Sequence, residues 1–262
     1  MTRLQNDTIK RKWVRQVRDS LRTHGYYDEQ EFSVETNDAE PLITAARLLG
    51  NLFVPSGAYP NQPVIRTQPS PVAPQWRPFD RRAPIRWHND FSTRVGRPEL
   101  SLSWIRREDP AGLNNGAWWV ASAAAVLGHL CQTHEGRRLT ADLSARAEPF
   151  GYRDAGGWRS FRVITGAGRR LGYNGLRFYG PALEEGAWLR FGRIPQRTRE
   201  IVARLEEAAD SVREVLPAMT GALLIVHNSL SLHDRAEQSV SGPKERRRQA
   251  CLCFVKQLYH PL

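Results

Sequence analysis

Three stretches of the chain repeat apolar residues at the spacing of an amphipathic helix. The first covers residues 7–22, where the apolar positions fall every four residues: Ile9, Trp13, Val17 and Leu21. Residues 39–49 carry a similar apolar face, and Gly50 follows as a helix stop. Residues 197–216 show the clearest stripe, and Pro217 ends it. We therefore expect three amphipathic helices that pack on the outside of a larger core.

Most of the remaining chain favours β-structure. Short apolar runs between turn residues predict strands at 85–91, 100–105, 117–121, 222–227 and 249–257, with an alanine-rich helix at 121–131. Between residues 136 and 189, strand-like pieces such as 160–165 and 175–179 alternate with glycine-rich turns. Eight prolines between residues 55 and 84 restrict that region to loops and short edge pieces. This order predicts a mostly β protein with flanking helices around a double-stranded β-helix, or jelly roll.

Length and composition are typical of one globular domain. The 262 residues include 40% hydrophobic residues and eight tryptophans, which is enough to form a core. We expect a single domain over 1–262. Residues 1–83 would form the N-terminal helices and proline-rich loop, and residues 84–262 the jelly-roll core with a helical insertion at about 197–216.

The chain is strongly basic, with a formal net charge of +11. Only Lys10, Lys12, Lys244 and Lys256 are lysines, so arginine supplies 34 of the 38 basic residues. Such a charge is compatible with several anionic partners, namely nucleic acid, an acidic carrier protein or an anionic small substrate. It does not favour nucleic acid over the other two, and it leaves the oligomeric state open.

Cysteine usage and hydropathy indicate the compartment. Three cysteines, an odd and sparse set, do not make a disulfide framework. The first 16 residues lack the apolar segment of a secretory signal, and the longest apolar stretch, 117–127, falls short of the roughly 20 residues that span a bilayer. We expect a cytoplasmic protein without a membrane segment.

A short histidine and aspartate pattern carries the candidate chemistry. If residues 85–91 form a strand, His88 and Asp90 share one face and Asn89 points away from it. A distal histidine, His233, follows a predicted strand and turn. Two imidazoles and one carboxylate on one side of a metal form the facial triad of non-heme Fe(II) oxygenases.

These motifs resemble those of the taurine dioxygenase and clavaminate synthase-like superfamily of Fe(II)/2-oxoglutarate-dependent oxygenases. The proximal match is the segment Trp87-His88-Asn89-Asp90, which precedes an alanine-rich helix. The distal match consists of Gly221, Leu223, Ile225, Asn228, His233 and, fifteen residues beyond that histidine, Arg248. The resemblance covers residues 86–127 and 216–255 and implies His88, Asp90 and His233 as metal ligands.

The resemblance implies an activity that uses Fe(II), 2-oxoglutarate and O2 and releases succinate and CO2. Its substrate would be a small molecule such as an amino acid or a natural-product intermediate. Related halogenases replace the carboxylate ligand, so Asp90 argues for hydroxylation, desaturation, ring closure or epoxidation. Two alternatives stay open: the same fold acting on a nucleic-acid or carrier-tethered substrate, and a non-catalytic jelly-roll binding protein.

Three further residues are candidates for cofactor binding. The resemblance implies that Arg248 binds the far carboxylate of 2-oxoglutarate, for which a planar guanidinium is well suited. Arg246 would share its strand face and reach the carboxylate near the metal. Asn115 stands where family members carry a threonine-like contact to 2-oxoglutarate, and it is a candidate replacement. Conversely, His129, Cys131 and His134 lack a fourth ligand for zinc, so we do not expect a zinc site there.

Overall fold

The computed structural model describes residues 6–33, 38–55, 62–73, 77–152, 156–260 and 262. Its strands in chain order are β1 (Tyr26–Glu29), β2 (Gly50–Phe53), β3 (Val64–Thr67), β4 (Leu100–Arg107), β5 (Trp118–Ser122), β6 (Ala147–Tyr152), β7 (Gly157–Arg162), β8 (Ile164–Thr165), β9 (Gly175–Leu176), β10 (Glu214–Leu216), β11 (Leu223–His227), β12 (Ser231–Arg235) and β13 (Gln249–Leu258). Its helices are α1 (Asp7–His24), α2 (Glu40–Leu49), α3 (Ala123–Leu130), α4 (His134–Ala145), α5 (Gly180–Phe191) and α6 (Gln196–Ser211).

Two antiparallel sheets form the core. The larger has the strand order β1-β11-β4-β13-β2, with β3 also paired to β13. The smaller has the order β10-β5-β12. Apolar side chains from both sheets, such as Trp118 and Val120 from the smaller and Leu224 and Val226 from the larger, pack into one cluster between them. This arrangement confirms the predicted jelly roll, and strands 100–105, 222–227 and 249–257 are confirmed as β4, β11 and β13.

Helices α1 and α2 cover the outer face of the larger sheet. Asn6 caps α1 by accepting a hydrogen bond from the backbone N–H of Thr8, and Gly25 ends it in the left-handed conformation with φ 80°. Trp13, Val17 and Leu21 of α1 are buried in a cluster with Leu100, Leu102 and other residues of the sheet. Both N-terminal helices were therefore predicted correctly, with bounds that differ by at most two residues.

Helices α3 to α6 contribute to a core cluster that also contains Ala121 and Leu232 of the smaller sheet, and here the sequence predictions were incomplete. The helix predicted at 197–216 ends at Ser211, because residues 214–216 leave it to pair with β5. Helix α4 was missed because it buries only Gly136 and Leu143, too few for an apolar stripe. Helix α5 was missed because Gly180 and Gly186 weaken its helical signal.

The largest error concerns residues 85–91, which do not form a strand. Only His88 makes ladder contacts, as an isolated bridge to Tyr179 on one side and to His233 on the other. Arg86 and Phe91 have positive φ angles of 81° and 54°, and these left-handed residues interrupt an extended run on both sides. The side chain of Asn89 points away from those of His88 and Asp90, as predicted, but it is buried and not exposed.

The segment between β5 and α6 is also more varied than predicted. The strand predicted at 160–165 is divided between β7 and β8, and the one at 175–179 is reduced to β9. The alanine-rich helix is confirmed as α3, which Ser122 caps through the backbone N–H of Ala125. Within the described residues, none of the helices combines the length and apolar character that a bilayer crossing requires.

Candidate metal centre

His88, Asp90 and His233 come together although 143 positions separate Asp90 from His233. One ligand atom from each of the three side chains lies within 4.8 Å of the other two. The Asp90 carboxylate lies between the imidazoles: Nε2 of His88 is 3.6 Å from Oδ1, and Nε2 of His233 is 3.3 Å from Oδ2. All three side chains are largely buried. They form the only such group of potential metal ligands among the described residues.

Backbone hydrogen bonds fix the two halves of the triad to each other. The N–H of His88 donates to the carbonyl of His233, and the N–H of His233 donates to the carbonyl of His88, each at 3.0 Å. Asn89 extends this pairing, because its side chain donates to the carbonyl of Ser231 and accepts from the N–H of Phe178. The segment before Asp90 thus pairs with strand β12 only at His88 and His233, and this pairing places the two imidazoles side by side.

Asn228 orients the carboxylate of the triad through the main chain. Its side-chain oxygen accepts a hydrogen bond from the N–H of Asp90 at 3.1 Å, and its amide group donates to the carbonyl of Pro98. Asn228 is 1% exposed, so this interaction is shielded from water. A buried amide that is hydrogen-bonded to the main chain at Asp90 and at Pro98 holds the backbone there, and this restricts the direction of the Asp90 side chain.

The two imidazoles differ in how their second nitrogen is satisfied. Nδ1 of His88 lies 2.8 Å from the carbonyl of Arg86 and must donate to it, which leaves Nε2 of His88 as the lone-pair atom facing Asp90 in the neutral ring. Nδ1 of His233 is buried and has no hydrogen-bond partner among the described residues. The protein therefore fixes the tautomer of His88 but leaves that of His233 to other groups.

Electrostatic coupling within the triad is strong. Burial opposes ionisation of Asp90, but the two imidazoles outweigh it and hold the pKa of the carboxyl far below its usual range. Burial also opposes the charged form of His88, yet hydrogen bonding to Asp90 raises its pKa. Burial and the charge of His88 lower the pKa of His233. An ionised carboxylate beside two imidazoles, which bind a metal ion in their neutral form, offers a divalent cation one charged and two neutral ligands.

The triad opens into a cavity between the two sheets. Its lining is mostly apolar and comes from both sheets and from the segment before the triad; it includes Phe79, Ile85, Leu102, Trp118, Leu224, Leu252 and Phe254. The titratable groups that line it are the triad, Asp234, Arg235 and Arg248. A concave apolar site with a few directed polar groups is the usual form of a small-molecule site.

Arg248 contributes a buried positive charge to this cavity. Its residue is 3% exposed, its Nε has no hydrogen-bond partner among the described residues, and its Nη1 lies 3.4 Å from Oε1 of Gln238. Burial and the nearby Arg235 lower the pKa of Arg248 to about 9. A guanidinium in this state is costly unless an anion joins it. The side chain thus has the properties of a carboxylate-binding group.

The predicted alternation along β13 is confirmed. Arg248, Ala250, Leu252 and Phe254 all line the cavity. The intervening Cys251, Cys253 and Val255 pack on the opposite face, with α1 and α2. A period of two therefore predicted the inward direction of Arg248 correctly, because this stretch continues into a real strand.

The other two cofactor candidates lie outside this cavity. Arg246 is exposed in a 3-10 turn, Lys244–Arg246, and since β13 begins only at Gln249 the two-residue alternation does not extend to it. Asn115 is half-buried and donates to the carbonyl of Ala111 within its own turn. Neither side chain is among those that line the cavity.

Several site residues were not predicted. Asp234 lines the cavity and accepts the N–H of Ile85, and Gln238 connects Arg248 to the carbonyls of Phe79 and Arg81. Arg235 donates to the carbonyls of Arg81, Ala83 and Ala236. Their positions close to His233 and Arg248 in sequence were the only available signal, since contacts with residues 79–85 depend on tertiary structure.

Comparison with known proteins supports the fold. No protein-family model matches the chain, and no curated protein sequence matches it. Among solved structures, asparagine oxygenase in complex with Fe(II), (2S,3S)-3-hydroxyasparagine and succinate is similar, with 18% identity, a TM-score of 0.73, and coverage of 95% of this chain and 79% of that one. The non-heme iron oxygenase OrfP, in complex with Fe, succinate and (3S)-hydroxy-L-Arg, shares 12% identity at a TM-score of 0.67, over 96% and 81% of the two chains.

A third similar structure is PvcB from Pseudomonas aeruginosa, described as an Fe, α-ketoglutarate-dependent oxygenase from an isonitrile synthetic pathway. It shares 18% identity at a TM-score of 0.65, over 92% of this chain and 79% of that one. At these identities the similarity establishes the architecture, and it agrees with the resemblance that the Trp-His-x-Asp and distal histidine motifs indicated. The chain has the jelly-roll fold of the iron- and 2-oxoglutarate-dependent oxygenases.

Proposed function

We propose that the protein is an Fe(II)/2-oxoglutarate-dependent oxygenase that oxidises, most simply hydroxylates, a small molecule such as an amino acid or natural-product intermediate. The observation that carries this proposal is the placement of a buried two-histidine, one-carboxylate group and a buried, incompletely partnered arginine in one cavity. Each feature alone also occurs in proteins of different function. Together they match the two groups that such a reaction needs, a divalent cation and a dicarboxylate.

The residues fit both groups. His88, Asp90 and His233 offer nitrogen and carboxylate oxygen atoms of the kind that Fe(II) accepts, and three ligands leave further coordination positions open. Arg248 would receive the distal carboxylate of 2-oxoglutarate, and the apolar walls would enclose its methylene groups. When bound, Fe(II) and 2-oxoglutarate supply the oxidation of a substrate C–H bond by O2, with release of succinate and CO2.

The chain itself contributes position and exclusion of water. Asn228 directs the backbone at Asp90, the paired backbones of His88 and His233 set the separation of the imidazoles, and the carbonyl of Arg86 holds the proton on Nδ1 of His88. Gln238 lies between Arg248 and the 79–82 segment: its Oε1 is 3.4 Å from Nη1 of Arg248, and its amide group donates to the carbonyl of Arg81. These contacts preorganise the ligand atoms, which limits the rearrangement that cofactor binding requires.

An amino-acid substrate is supported by the structural neighbours, two of which were solved with hydroxylated asparagine or arginine. A mass-spectrometric screen of free amino acids, each incubated with protein, Fe(II), 2-oxoglutarate and O2, tests this part. A mass gain of one oxygen in one amino acid supports the proposal. Absence of any product across the set, with succinate formed on other substrates, would move the substrate to a different class.

The oxygenase activity is tested by succinate release from 2-oxoglutarate, compared between the wild type and Asp90→Ala. We expect the variant to lose turnover because it removes the carboxylate between the two imidazoles. Equal rates in both proteins would refute the metal assignment. If the protein is instead a non-catalytic binding protein, neither the wild type nor Asp90→Ala should release succinate above background with any of the candidate substrates.

A further inference from the structure

Side chains of Arg86 and Trp87, which precede the triad residue His88, bind helices α5 and α6. The guanidinium of Arg86 forms a two-pronged pair with Glu206 of α6, from Nε to Oε1 at 2.9 Å and from Nη2 to Oε2 at 3.0 Å. Its Nη1 lies 3.4 Å from Oε2 of Glu184 in α5. One turn beyond Glu206, Asp210 accepts the indole N–H of Trp87 at 3.1 Å.

The backbone of Arg86 has an unfavourable conformation. Its φ of 81° lies in the left-handed region, which a residue with a Cβ atom adopts only when its surroundings hold it there. In this conformation its carbonyl is 2.8 Å from Nδ1 of His88. The side chain of Arg86 therefore contacts helices α5 and α6, while its carbonyl contacts His88, a proposed metal ligand.

The imidazole of His233 has no equivalent contact, because its Nδ1 has no hydrogen-bond partner among the described residues. The carbonyl of Arg86 therefore orients the ring of His88, and no described residue does the same at Nδ1 of His233. Partners of this type fix the tautomer and the ring direction of metal-binding histidines. Bidentate pairing makes Arg86 a better anchor than a single surface ion pair.

We propose that Arg86 is a positioning residue for the metal centre, held by Glu206 and Glu184 so that its carbonyl keeps Nε2 of His88 directed at the metal. Helices α5 and α6 then hold the triad in place in addition to contributing to the core cluster beside the smaller sheet. The inference rests on the proposed metal site.

The test measures anaerobic Co(II) affinity by calorimetry and the visible ligand-field spectrum of the bound ion. Arg86→Gly is the informative variant, since glycine relieves the left-handed φ while removing the anchor. We expect Co(II) to bind about 10- to 100-fold more weakly and with an altered spectrum. Arg86→Lys retains a cation and should recover part of the affinity. Glu206→Gln preserves the size of the partner and should weaken binding in the same direction.

Arg197→Ala is the matched control. Arg197 also lies on α6 and also joins two carboxylates, Asp142 and Glu148, but neither of these belongs to the segment that leads into the triad. We expect it to lower the thermal unfolding temperature and to leave Co(II) affinity within about twofold of the wild type. A general loss of packing in the insertion would instead weaken metal binding equally in both variants.

The outcomes separate the two proposals. If the wild type binds no Co(II) or Fe(II), the proposed function and this inference fail together. If the wild type binds metal and Arg86→Gly binds it as tightly and with the same spectrum, the positioning role is wrong and the metal site stands. Equal weakening by Arg86→Gly and Arg197→Ala also overturns the positioning role.

Discussion

Arg248 is in a different state from an ordinary surface arginine. It is buried, and burial lowers its pKa to about 9. We expect Arg248→Met to raise the Kd for 2-oxoglutarate by at least about tenfold, because hydrogen bonds to charged groups contribute about 1.5–3 kcal/mol. Fe(II) affinity should change little. Calorimetry with the Fe(II)-loaded proteins makes the comparison.

Arg246→Met provides the control for that measurement. Arg246 is exposed and lies two positions away in sequence, so the substitution removes the same charge from outside the cavity. A Kd for 2-oxoglutarate that rises in the Arg246 variant and not in the Arg248 variant would reverse the two assignments.

His227 gives a pH-dependent prediction that does not involve the metal. Burial and the charge of Arg97 lower its pKa to about 4, against about 6.5 for an unfolded histidine. The folded state therefore binds fewer protons, so the contribution of His227 to stability is present above pH ~6.5 and is lost as the pH falls towards 4.

His227→Gln tests this titration, since glutamine can still accept the N–H of Ser229 but cannot be protonated. Urea unfolding between pH 7 and 4 should show a shallower loss of the free energy of unfolding in the variant, by at most about 1.4 kcal/mol per pH unit. Identical slopes in the two proteins would mean that His227 binds a proton as readily in the folded state as in the unfolded state.

At the residue scale, sequence predicted the triad, Arg248 and Asn228, and failed at residues whose role depends on unusual backbone geometry. Nothing in the sequence marks Arg86 as left-handed, because glycine and asparagine are the residues usually found there. Asn89 does point away from the cavity that His88 and Asp90 line, but its side chain is buried against Ser231 and Phe178 and not exposed. His88 and Asp90 do converge, although the extended strand from which their convergence was inferred does not exist.

The turn before β5 shows how a structural element positions Arg248, the side chain that we propose binds 2-oxoglutarate. Gly116 has a φ of 69°, and a Cβ atom built on it would lie 2.7 Å from Cδ of Arg248. We expect Gly116→Ala to displace Arg248 and weaken 2-oxoglutarate binding about tenfold or more, with metal affinity retained. Calorimetric titration of 2-oxoglutarate measures the effect.

Gly192→Ala separates the displacement of Arg248 from backbone strain. Gly192 has a similar φ of 67°, but no atom lies within 4 Å of an added Cβ. The control should lose stability to a comparable degree while it binds 2-oxoglutarate normally. If both variants lose affinity alike, strain and not contact with Arg248 is responsible.

Among the elements, those with a clear period were predictable and those defined by pairing were not. The stripe of α1 reports burial on one face, and the period of two along β13 separates the residues that line the cavity from those that pack with α1 and α2. Strand β12 was not predicted, because Ser231–Arg235 is rich in polar residues and becomes a strand through pairing with β5. The same pairing places His233 opposite Val120, which no local pattern indicates.

On the scale of the whole molecule, the jelly roll confines the proposed chemistry to the interior while much of the charge lies on the surface. A second cleft illustrates this: its lining includes Arg66, Arg106, Lys244 and Arg247 with Asp80 as the carboxylate among them. Such a surface attracts anions without specifying one. This basic cleft is a candidate contact surface for the two alternative substrates, nucleic acid and a carrier-tethered molecule.

Salt dependence distinguishes these alternatives. We expect a short DNA duplex to bind at low ionic strength, to dissociate steeply as salt approaches about 0.15 M, and to leave succinate release unchanged. Fluorescence anisotropy and a coupled succinate assay measure the two effects. DNA-stimulated succinate release that persists at physiological salt would identify nucleic acid as the substrate class.

Anaerobic titration with Fe(II) followed by 2-oxoglutarate, monitored by the visible charge-transfer band, tests most directly whether His88, Asp90 and His233 hold one ferrous ion. We expect one Fe(II) per chain and a band that appears on addition of 2-oxoglutarate in the wild type and in His227→Gln, and that is lost in His233→Ala. No band in the wild type, or an undiminished band in His233→Ala, would contradict it.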